Sequence, residues 1–281
     1  MPNYDCIVIG NGSIGLSCAY ELINSSDKNF KIAIFGKKTR EGSASLAAGA
    51  MINVFGEIEY DTLKSKEGLI RFQMLLKAKN LWLKQISKIK NEISTKLKLK
   101  KGTYILNNSS ADELDDENFN SIEKSLKQFN EPYSYVQAKD IKGYNPQPKS
   151  RSLKSLYIPN ENFISSAKDL LDSYDKILNN RKNIFVKNYF IKKIIVKKNL
   201  KVVVDENGNK YTCKNIVIAS GAYSNALIKQ IKQIKNRIPD LFFGVGNAII
   251  AEAEKLDLPN CVVRTPNRGM ACGLHVVPLD K

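Results

Sequence analysis

The chain has 281 residues, of which 43% are hydrophobic and 26% are charged, as expected for a globular protein with one large or two ordinary domains. Its formal net charge is +16, carried mostly by lysines spread along the whole chain, which favours a solvated surface over a dedicated nucleic-acid or membrane patch. No apolar run reaches bilayer length, and no basic-then-apolar leader precedes the first strand, so we expect a cytoplasmic protein.

Cysteine and histidine limit the chemistry further. Five scattered cysteines without a CxxC pair predict reduced thiols and no disulfide framework or zinc site: Cys6, Cys18, Cys213, Cys261 and Cys272. The single histidine, His275, cannot build a multi-histidine site, and we predict no bound metal. A Ser-His-Asp or Cys-His nucleophile would need this one residue, which we interpret as a histidine in a core strand.

The first 35 residues predict a β-α-β unit with glycines at its first turn. Residues 4–9 and 32–35 are short apolar runs of the buried-strand type. Between them, a helical pattern predicts one buried face, made of Ile14, Cys18, Ala19, Leu22 and Ile23. Gly10, Gly12 and Gly15 form a GxGxxG pattern between strand and helix, which is the context that a dinucleotide-binding loop requires.

Each glycine has a physical role in such a loop. Gly10 permits the tight turn, Gly12 lets the backbone approach a pyrophosphate, and Gly15 lets the helix pack closely on the strand. The phosphates need backbone N–H donors and a helix N-terminus. We therefore place Ser13 and Ile14, in the first helical turn, in the cofactor site together with the three glycines.

The end of the second strand departs from the usual pattern. An acid here normally binds the ribose hydroxyls, but this chain has Gly36, followed by Lys37, Lys38 and Arg40. Loss of the acid and gain of bases is what an NADP site would show, so the first motif leaves FAD and NADP open. We include Gly36 and Lys37 in the predicted cofactor site.

Helix and strand signals continue along the chain. A long amphipathic helix covers much of residues 63–93, with a core stripe of Leu75, Trp82, Ile86, Ile89 and Ile93. Ser166 and Asp169 form a capping-box pattern before a second stripe, made of Leu170, Leu171, Tyr174, Ile177 and Leu178. A hairpin with a primed turn at Asn207-Gly208 joins residues 200–206 to 210–213. The last fifty residues are predicted to be rich in strands.

Two segments resemble the D-amino-acid oxidase superfamily of FAD-dependent oxidoreductases, which includes glycine and sarcosine oxidases. They are GSASLAAGAM at 42–51 and IVIASGAYS at 216–224. In that family a Ser/Ala/Gly-rich stretch lies beneath the flavin, which implies this role for Ser43, Ser45, Ala48, Gly49, Ala50 and Met51. The second segment corresponds to a VxAxGAWS-like turn, which implies cofactor contacts for Ala219, Ser220 and Gly221, with Tyr223 replacing the usual Trp. The same alignment places the backbone of Ile191 by the adenine, and the resemblance favours FAD.

The resemblance also implies a fold and a domain arrangement. The fold is α/β, with a Rossmann-like FAD-binding domain containing the GxGxxG βαβ unit and a second, mostly antiparallel α+β substrate domain. We expect the FAD-binding domain to be discontinuous, over 1–95 and 151–230, and the substrate domain to cover 96–150 and 231–281. Family members carry a further GxRP-like segment beside the flavin, which this chain lacks before Lys281. We therefore expect a truncated or split chain, with a partner chain as one source of that segment.

The reaction that the resemblance implies is oxidation of a C–N bond in an amine or amino acid, with hydride transfer to flavin N5. This chemistry needs no protein nucleophile, and the sequence identifies no catalytic residue. Arg264 and Arg268 are candidates for clamping a carboxylate, although solvated arginines are the commoner case. Two alternatives stay open: a flavin enzyme acting on modified tRNA, which the excess charge fits, and a truncated or split-subunit chain with little activity alone.

Overall fold

The computed structural model describes residues 1–108, 112–145, 152–197, 200–251, 258–268 and 273–279. The strands are β1 (Asn3–Ile9), β2 (Ile32–Phe35), β3 (Met51–Ile52), β4 (Leu99–Asn108), β5 (Ser134–Tyr135), β6 (Ser152–Ile164), β7 (Ile184–Lys187), β8 (Ile191–Lys197), β9 (Leu200–Asp205), β10 (Lys210–Ile218), β11 (Val262–Arg264) and β12 (His275–Val276). The helices are α1 (Ser13–Ser25), α2 (Ala44–Ala47), α3 (Lys66–Glu92), α4 (Glu113–Gln128), α5 (Ala167–Asn179) and α6 (Ser224–Ile228).

The chain divides into two compact units, each made of two segments. Unit 1 comprises Met1–Ala48 and Ala167–Ala248, and unit 2 comprises Gly49–Ser166 and Ile249–Lys281. These boundaries differ from the expected ones: residues 49–95 and 151–166 lie in unit 2, and 231–248 lie in unit 1. The reason is that α3 packs in the core of unit 2, while β6 is a central strand of that unit's sheet.

Unit 1 is built on a six-stranded sheet with the order β7-β2-β1-β10-β9-β8. The first four strands are parallel, and β9 and β8 extend the sheet in antiparallel fashion. This is the predicted Rossmann-like arrangement. Ile9 at the end of β1 is in register with both Phe35 of β2 and Ile218 of β10. The carboxyl ends of three parallel strands therefore meet at one edge, where open α/β sheets bind their ligands.

Helices α1 and α5 of unit 1 pack against each other, and the predicted buried face is correct for α5 but only partly correct for α1. The stripe of α5 is confirmed, because all five of its apolar residues are buried. The predicted face of α1 is partly wrong: Ile14 is 69% exposed, while Leu16 and Tyr20 are buried with Ala19. The cause is the contact with α5, where the Tyr20 and Tyr174 rings meet edge to face at 5.7 Å, so that α1 is covered on a second side.

The hairpin between β9 and β10 forms where expected, but its turn differs from the primed type. Gly208 has a positive φ of 85°, whereas Asn207 does not have the positive φ that a type I′ turn requires. The Asp205 carboxylate accepts hydrogen bonds from the N–H groups of Asn207 and Asn209, both at 2.9 Å. This side chain stabilises a three-residue loop in preference to the primed turn.

Unit 2 contains a second sheet with the order β12-β11-β4-β6-β3, and β5 also pairs with β6. All these pairs are antiparallel except β11 with β4, which agrees with the predicted mostly antiparallel domain. Helices α3 and α4 cover the sheet through Phe72, Phe119 and Ile122, which are fully buried. The α3 stripe is confirmed at Ile86 and Ile89, which are buried.

The prediction of a strand-rich C-terminal region is wrong for most of the described residues. From 231 onward, the strands in the part described are β11 and β12, and residues 241–251 adopt no regular structure. Phe242 is 99% exposed and Val245 is 93% exposed, so these apolar side chains lack the packing that stabilises a strand.

Of the five cysteines, Cys272 lies outside the described residues, and the other four are free thiols. Within the described part, no helix has the length and apolarity needed to cross a membrane.

Candidate functional site

The glycine loop of unit 1 is packed too tightly for larger residues at two positions. Gly10 has a φ of 114°, and a Cβ there would lie 2.2 Å from the carbonyl oxygen of Ala219. A Cβ on Gly15 would lie 1.9 Å from the carbonyl oxygen of Gly10. Because both obstacles are backbone atoms, only glycine fits. The Ala219 N–H also donates to Ile9 O at 2.8 Å, which fixes the end of β10 beside the loop.

The glycine loop leads directly into α1, whose first turn has backbone N–H groups that can bind a ligand. The N-cap is Gly12, which has no capping side chain, and the first turn contains no acidic residue. Ser45 lies beside it: its Oγ accepts from the Ser13 N–H at 3.0 Å and would be 2.8 Å from a Cβ on Gly12. The remaining N–H groups of the first turn and the helix dipole together favour an anionic group at this point.

At the end of β2, the side chain of Asn11 fills the place of the missing acid. A Cβ on Gly36 would lie 2.3 Å from Asn11 Oδ1 and 2.4 Å from its Cγ. Asn11 Nδ2 donates to the Lys37 carbonyl at 2.9 Å, and the Asn11 carbonyl accepts from Arg40 Nε at 2.8 Å. Asn11 is thus held at both its backbone and its side chain.

Two of the three bases after β2 are already paired within unit 1. Lys37 forms an ion pair with Glu206, and its ammonium lies 5.2 Å from the centre of the Phe190 ring. The hydrogen bond from Lys37 lowers the pKa of Glu206. Arg40 is buried and donates through Nη2 to both carboxylate oxygens of Asp175, at 2.7 and 2.8 Å. Two of the three charges that kept a 2′-phosphate site open therefore have protein partners.

The other predicted cofactor residues of unit 1 lie on separate elements. Ser43 caps α2, its Oγ accepting from the Leu46 N–H at 3.2 Å, and Ala48 follows that helix. Ser220 and Gly221 lie directly after Ala219, at the start of a short 3₁₀ turn in which Gly221 has a φ of 58°. Ile191 is buried at the start of β8 and belongs to the core cluster that also contains Phe35.

Gly49, Ala50 and Met51 belong to unit 2, so the predicted stretch 42–51 is divided after Ala48. Ala50 has a positive φ of 53°, and its carbonyl accepts from the Ile164 N–H at 3.0 Å. Met51 pairs with Phe163 in the sheet. Within unit 2, the backbones of Ala50 and Met51 are therefore fixed by contacts with β6.

The two arginine candidates of unit 2 differ in exposure: Arg264 is buried, whereas Arg268 is exposed, which the sequence interpretation held to be the commoner case. Arg264 is 1% exposed, forms an ion pair with Glu57 and donates to Asn267 Oδ1 at 2.7 Å. Arg268 pairs with Asp115, with Nη2 and Oδ2 2.9 Å apart. Burial opposes ionisation of Glu57, but the charge and hydrogen bond of Arg264 outweigh it and lower the Glu57 pKa. Both guanidinium groups therefore already bind carboxylates of this chain.

His275 lies in the short strand β12, in agreement with the interpretation as a strand residue. It pairs with Arg264 of β11. Burial, reinforced by the charge of Arg264, lowers its pKa to about 4, against the opposing effect of Glu57. Its buried Nε2 has no hydrogen-bond partner among the described residues. The imidazole is therefore neutral near pH 7.

A cavity of about 340 Å³ opens in unit 2 beside this network. Its apolar wall includes Leu106, Val263 and Leu274, and Tyr144 and Thr265 add polar groups. Its volume lies at the lower end of the range for small-molecule pockets.

A family model described as FAD dependent oxidoreductase (DAO) matches residues 5–278. The chain belongs to this family. The match spans both units and confirms the predicted superfamily, with FAD as the family's cofactor. A comparison with curated proteins finds no match.

Solved structures of several oxidases share the fold. Glycine oxidase from Geobacillus kaustophilus is 19% identical, with a TM-score of 0.65 over 82% of this chain and 58% of that one. Iminodiacetate oxidase from a Chelativorans species is 14% identical, with a TM-score of 0.61 over 80% and 57%. L-α-glycerophosphate oxidase from Mycoplasma pneumoniae, with FAD bound, is 19% identical, with a TM-score of 0.56 over 83% and 58%. The chain thus spans less than two thirds of the length of these structures.

The residues of unit 1 fit the family's cofactor. The close-packed glycines and the uncapped start of α1 leave backbone donors for a pyrophosphate, and side chains larger than hydrogen cannot enter at Gly10 or Gly15. The sequence did not indicate Asn11 or the Arg40–Asp175 pair. The only signal for Asn11 was the glycine that replaces the ribose-binding acid, and no local pattern links Arg40 to a residue in α5.

Proposed function

We propose that unit 1 binds FAD at the N-terminus of α1, as part of an oxidoreductase that oxidises a C–N bond of an amine or amino acid. The observation that carries the proposal is the glycine turn, in which Gly10, Gly15 and Ala219 pack backbone against backbone in a chain of the FAD dependent oxidoreductase family. When bound, FAD supplies flavin N5 as the hydride acceptor.

In this proposal each cofactor residue of unit 1 has a defined task. The N–H groups at the start of α1 bind the pyrophosphate, while Gly12 leaves room for it. Ser45 holds the Ser13 N–H and thereby limits the donors that face the phosphates to the rest of the first turn. Ser43, Ala48, Ser220 and Gly221 contribute small side chains near the cofactor, and Ile191 contributes its backbone beside the adenine.

The substrate class is the second part of the proposal. Among the structural matches, glycine oxidase, iminodiacetate oxidase and L-amino acid deaminase are named for amino-acid or amine substrates. In unit 2, the 340 Å³ cavity is of suitable size for such a substrate. Because Arg264 and Arg268 already bind Glu57 and Asp115, neither serves as the carboxylate clamp without breaking an ion pair.

The cytoplasmic location belongs to the proposal as well. It is supported by the free thiols of Cys6, Cys18, Cys213 and Cys261, since disulfides are rare in reducing compartments. Burial raises the pKa of Cys6 to about 11 and that of Cys213 to about 12, so both stay protonated and unreactive near pH 7.

The test of the proposal has two stages. Protein purified after expression with excess riboflavin should show the flavin absorption bands, and the apoprotein should quench FAD fluorescence on mixing. Anaerobic addition of glycine, sarcosine or iminodiacetate should then bleach the flavin, while glycerol 3-phosphate should not. A colourless protein that takes up no FAD would refute the cofactor assignment, and bleaching by glycerol 3-phosphate alone would refute the C–N substrate class.

A further inference from the structure

We propose that the side-chain amide of Asn11 replaces the absent carboxylate as the acceptor for a ribose hydroxyl of the bound dinucleotide. The inference rests on the FAD binding proposed above and assigns a ligand contact to a residue outside the predicted cofactor set. In dinucleotide folds this task normally belongs to an acid at the end of the second strand. Here that position is Gly36, which has no side chain.

The position of the amide is the first argument. Three atoms of the Asn11 side chain lie within 3.0 Å of the position that a Cβ on residue 36 would occupy. A carboxylate carried by residue 36 and the amide of Asn11 therefore compete for the same space. In this chain the space holds a polar group that comes from the glycine loop and not from the strand.

The orientation of the amide is the second argument. Asn11 Nδ2 donates to the Lys37 carbonyl at 2.9 Å, which requires the nitrogen to face the backbone after β2. Oδ1 is then the atom on the Gly36 side, and an amide oxygen accepts two hydrogen bonds. Arg40 Nε holds the Asn11 backbone carbonyl at 2.8 Å, so the residue is fixed before a ligand arrives.

The neighbouring carboxylates are the third argument, because both are engaged elsewhere. Glu206 pairs with Lys37 and also accepts from the Phe190 N–H at 3.4 Å. Asp175 accepts both hydrogen bonds from Arg40. Each carboxylate is therefore already bound to a cation of this chain, and neither is carried by the end of β2, where the acid of dinucleotide folds lies. The ribose acceptor of this chain is therefore neutral, in contrast to the usual carboxylate.

The experiment compares ADP, which carries the adenosine ribose, with 2′-deoxy-ADP and 3′-deoxy-ADP on the apoprotein. Dissociation constants come from competition against FAD, followed by flavin fluorescence. The wild type should prefer ADP over at least one deoxy analogue by about 2- to 12-fold, the contribution of one hydrogen bond. In Asn11→Ala the preference should fall to about 1, because the acceptor is gone. The matched control Asn24→Ala, at the exposed end of α1, should keep the wild-type preference.

The ratio of ligands separates a contact from a structural role. If Asn11 only supports the loop, Asn11→Ala will weaken ADP and both deoxy analogues equally, and the inference fails. It fails also if the wild type binds all three ligands with one affinity while it still takes up FAD, a result that leaves the proposed function intact. Absence of binding by FAD and ADP alike would remove both.

A swap of the two residues tests the shared space without relying on Asn11→Ala. Gly36→Glu alone should weaken FAD binding, since its side chain meets Asn11 at 2.3 Å. The double variant Asn11→Gly with Gly36→Glu should recover FAD binding and the preference for ADP, now through a carboxylate. Equal FAD affinity in the single and double variants would show that the two side chains do not compete and would overturn the inference.

Discussion

Replacement of Arg40 by alanine should destabilise unit 1 far more than a change of a neighbouring base. Arg40 is 8% exposed and pairs with Asp175, whose side chain is 28% exposed. Removing one partner of a buried ion pair costs about 3–5 kcal/mol. Because Asp175 regains part of its hydration, we take the lower limit, and the lost hydrogen bond to the Asn11 carbonyl adds about 1 kcal/mol. The total of about 4 kcal/mol corresponds to a decrease in Tm of about 8–16 °C.

The assay is thermal unfolding of the apoprotein by circular dichroism, with FAD affinity measured in parallel. Lys38→Ala is the matched control, since Lys38 is an exposed base two residues away and should change Tm by less than about 1 °C. Arg40→Met combined with Asp175→Leu should recover most of the loss, because an apolar pair replaces a buried ion pair at little cost. A normal Tm for Arg40→Ala together with weakened binding of a phosphate ligand would refute the structural role and make Arg40 a ligand contact.

Three further predictions concern the glycine loop, the histidine and the charge. Gly15→Ala should lower stability by about 3 kcal/mol and abolish FAD uptake, since its Cβ meets the Gly10 carbonyl at 1.9 Å; Gly244→Ala, with no atom within 4 Å, should change neither. The pKa of His275 is about 4 in the folded chain, below the ordinary 6.5, so on acidification the unfolded chain binds the proton at a higher pH than the folded chain does. The free energy of unfolding therefore decreases as the pH is lowered from 6.5 to 4. After allowance for solvent screening, urea titrations of the wild type should show that its free energy of unfolding decreases by about 1 kcal/mol over this pH range. The decrease should be absent in His275→Gln, and an equal decrease in both proteins would contradict the prediction. If the alternative of a tRNA substrate holds, tRNA should bind at about 50 mM salt and dissociate steeply as salt rises, whereas no retention at low salt would exclude it.

The parts of the site that the sequence could predict are those fixed by local sterics. At Gly10 and Gly15 a side chain would clash with backbone atoms of the strand-helix turn, so the spacing of these glycines predicts the turn. The stripe of α5 was equally readable, because a helix packed against one large surface buries a regular set of positions. For these elements, neighbours in the sequence decide the structure.

The parts that could not be predicted depend on residues far apart in the chain. Arg40 has the pattern of a surface base until Asp175 of α5 is placed beside it. Arg264 reads as solvated until Glu57 meets it across unit 2. The predicted turn type at Gly208 was wrong for a more local reason: the Asp205 side chain accepts hydrogen bonds from two N–H groups and stabilises another loop. In each case a side-chain contact, invisible in the pattern of hydrophobic residues, overruled the expectation.

The order of strands in unit 1 has a consequence for biosynthesis. β1 is complete within the first 9 residues, yet its neighbour β10 is paired through contacts such as Asn3 with Thr212. At ribosomal rates of 5–20 residues per second, β1 waits about 10–40 s for this partner to emerge. During that interval the backbone N–H and C=O groups on this edge of β1 lack their native partner strand. Because Ala219, directly after β10, packs against Gly10, the glycine turn is complete only after residue 219 has been synthesised.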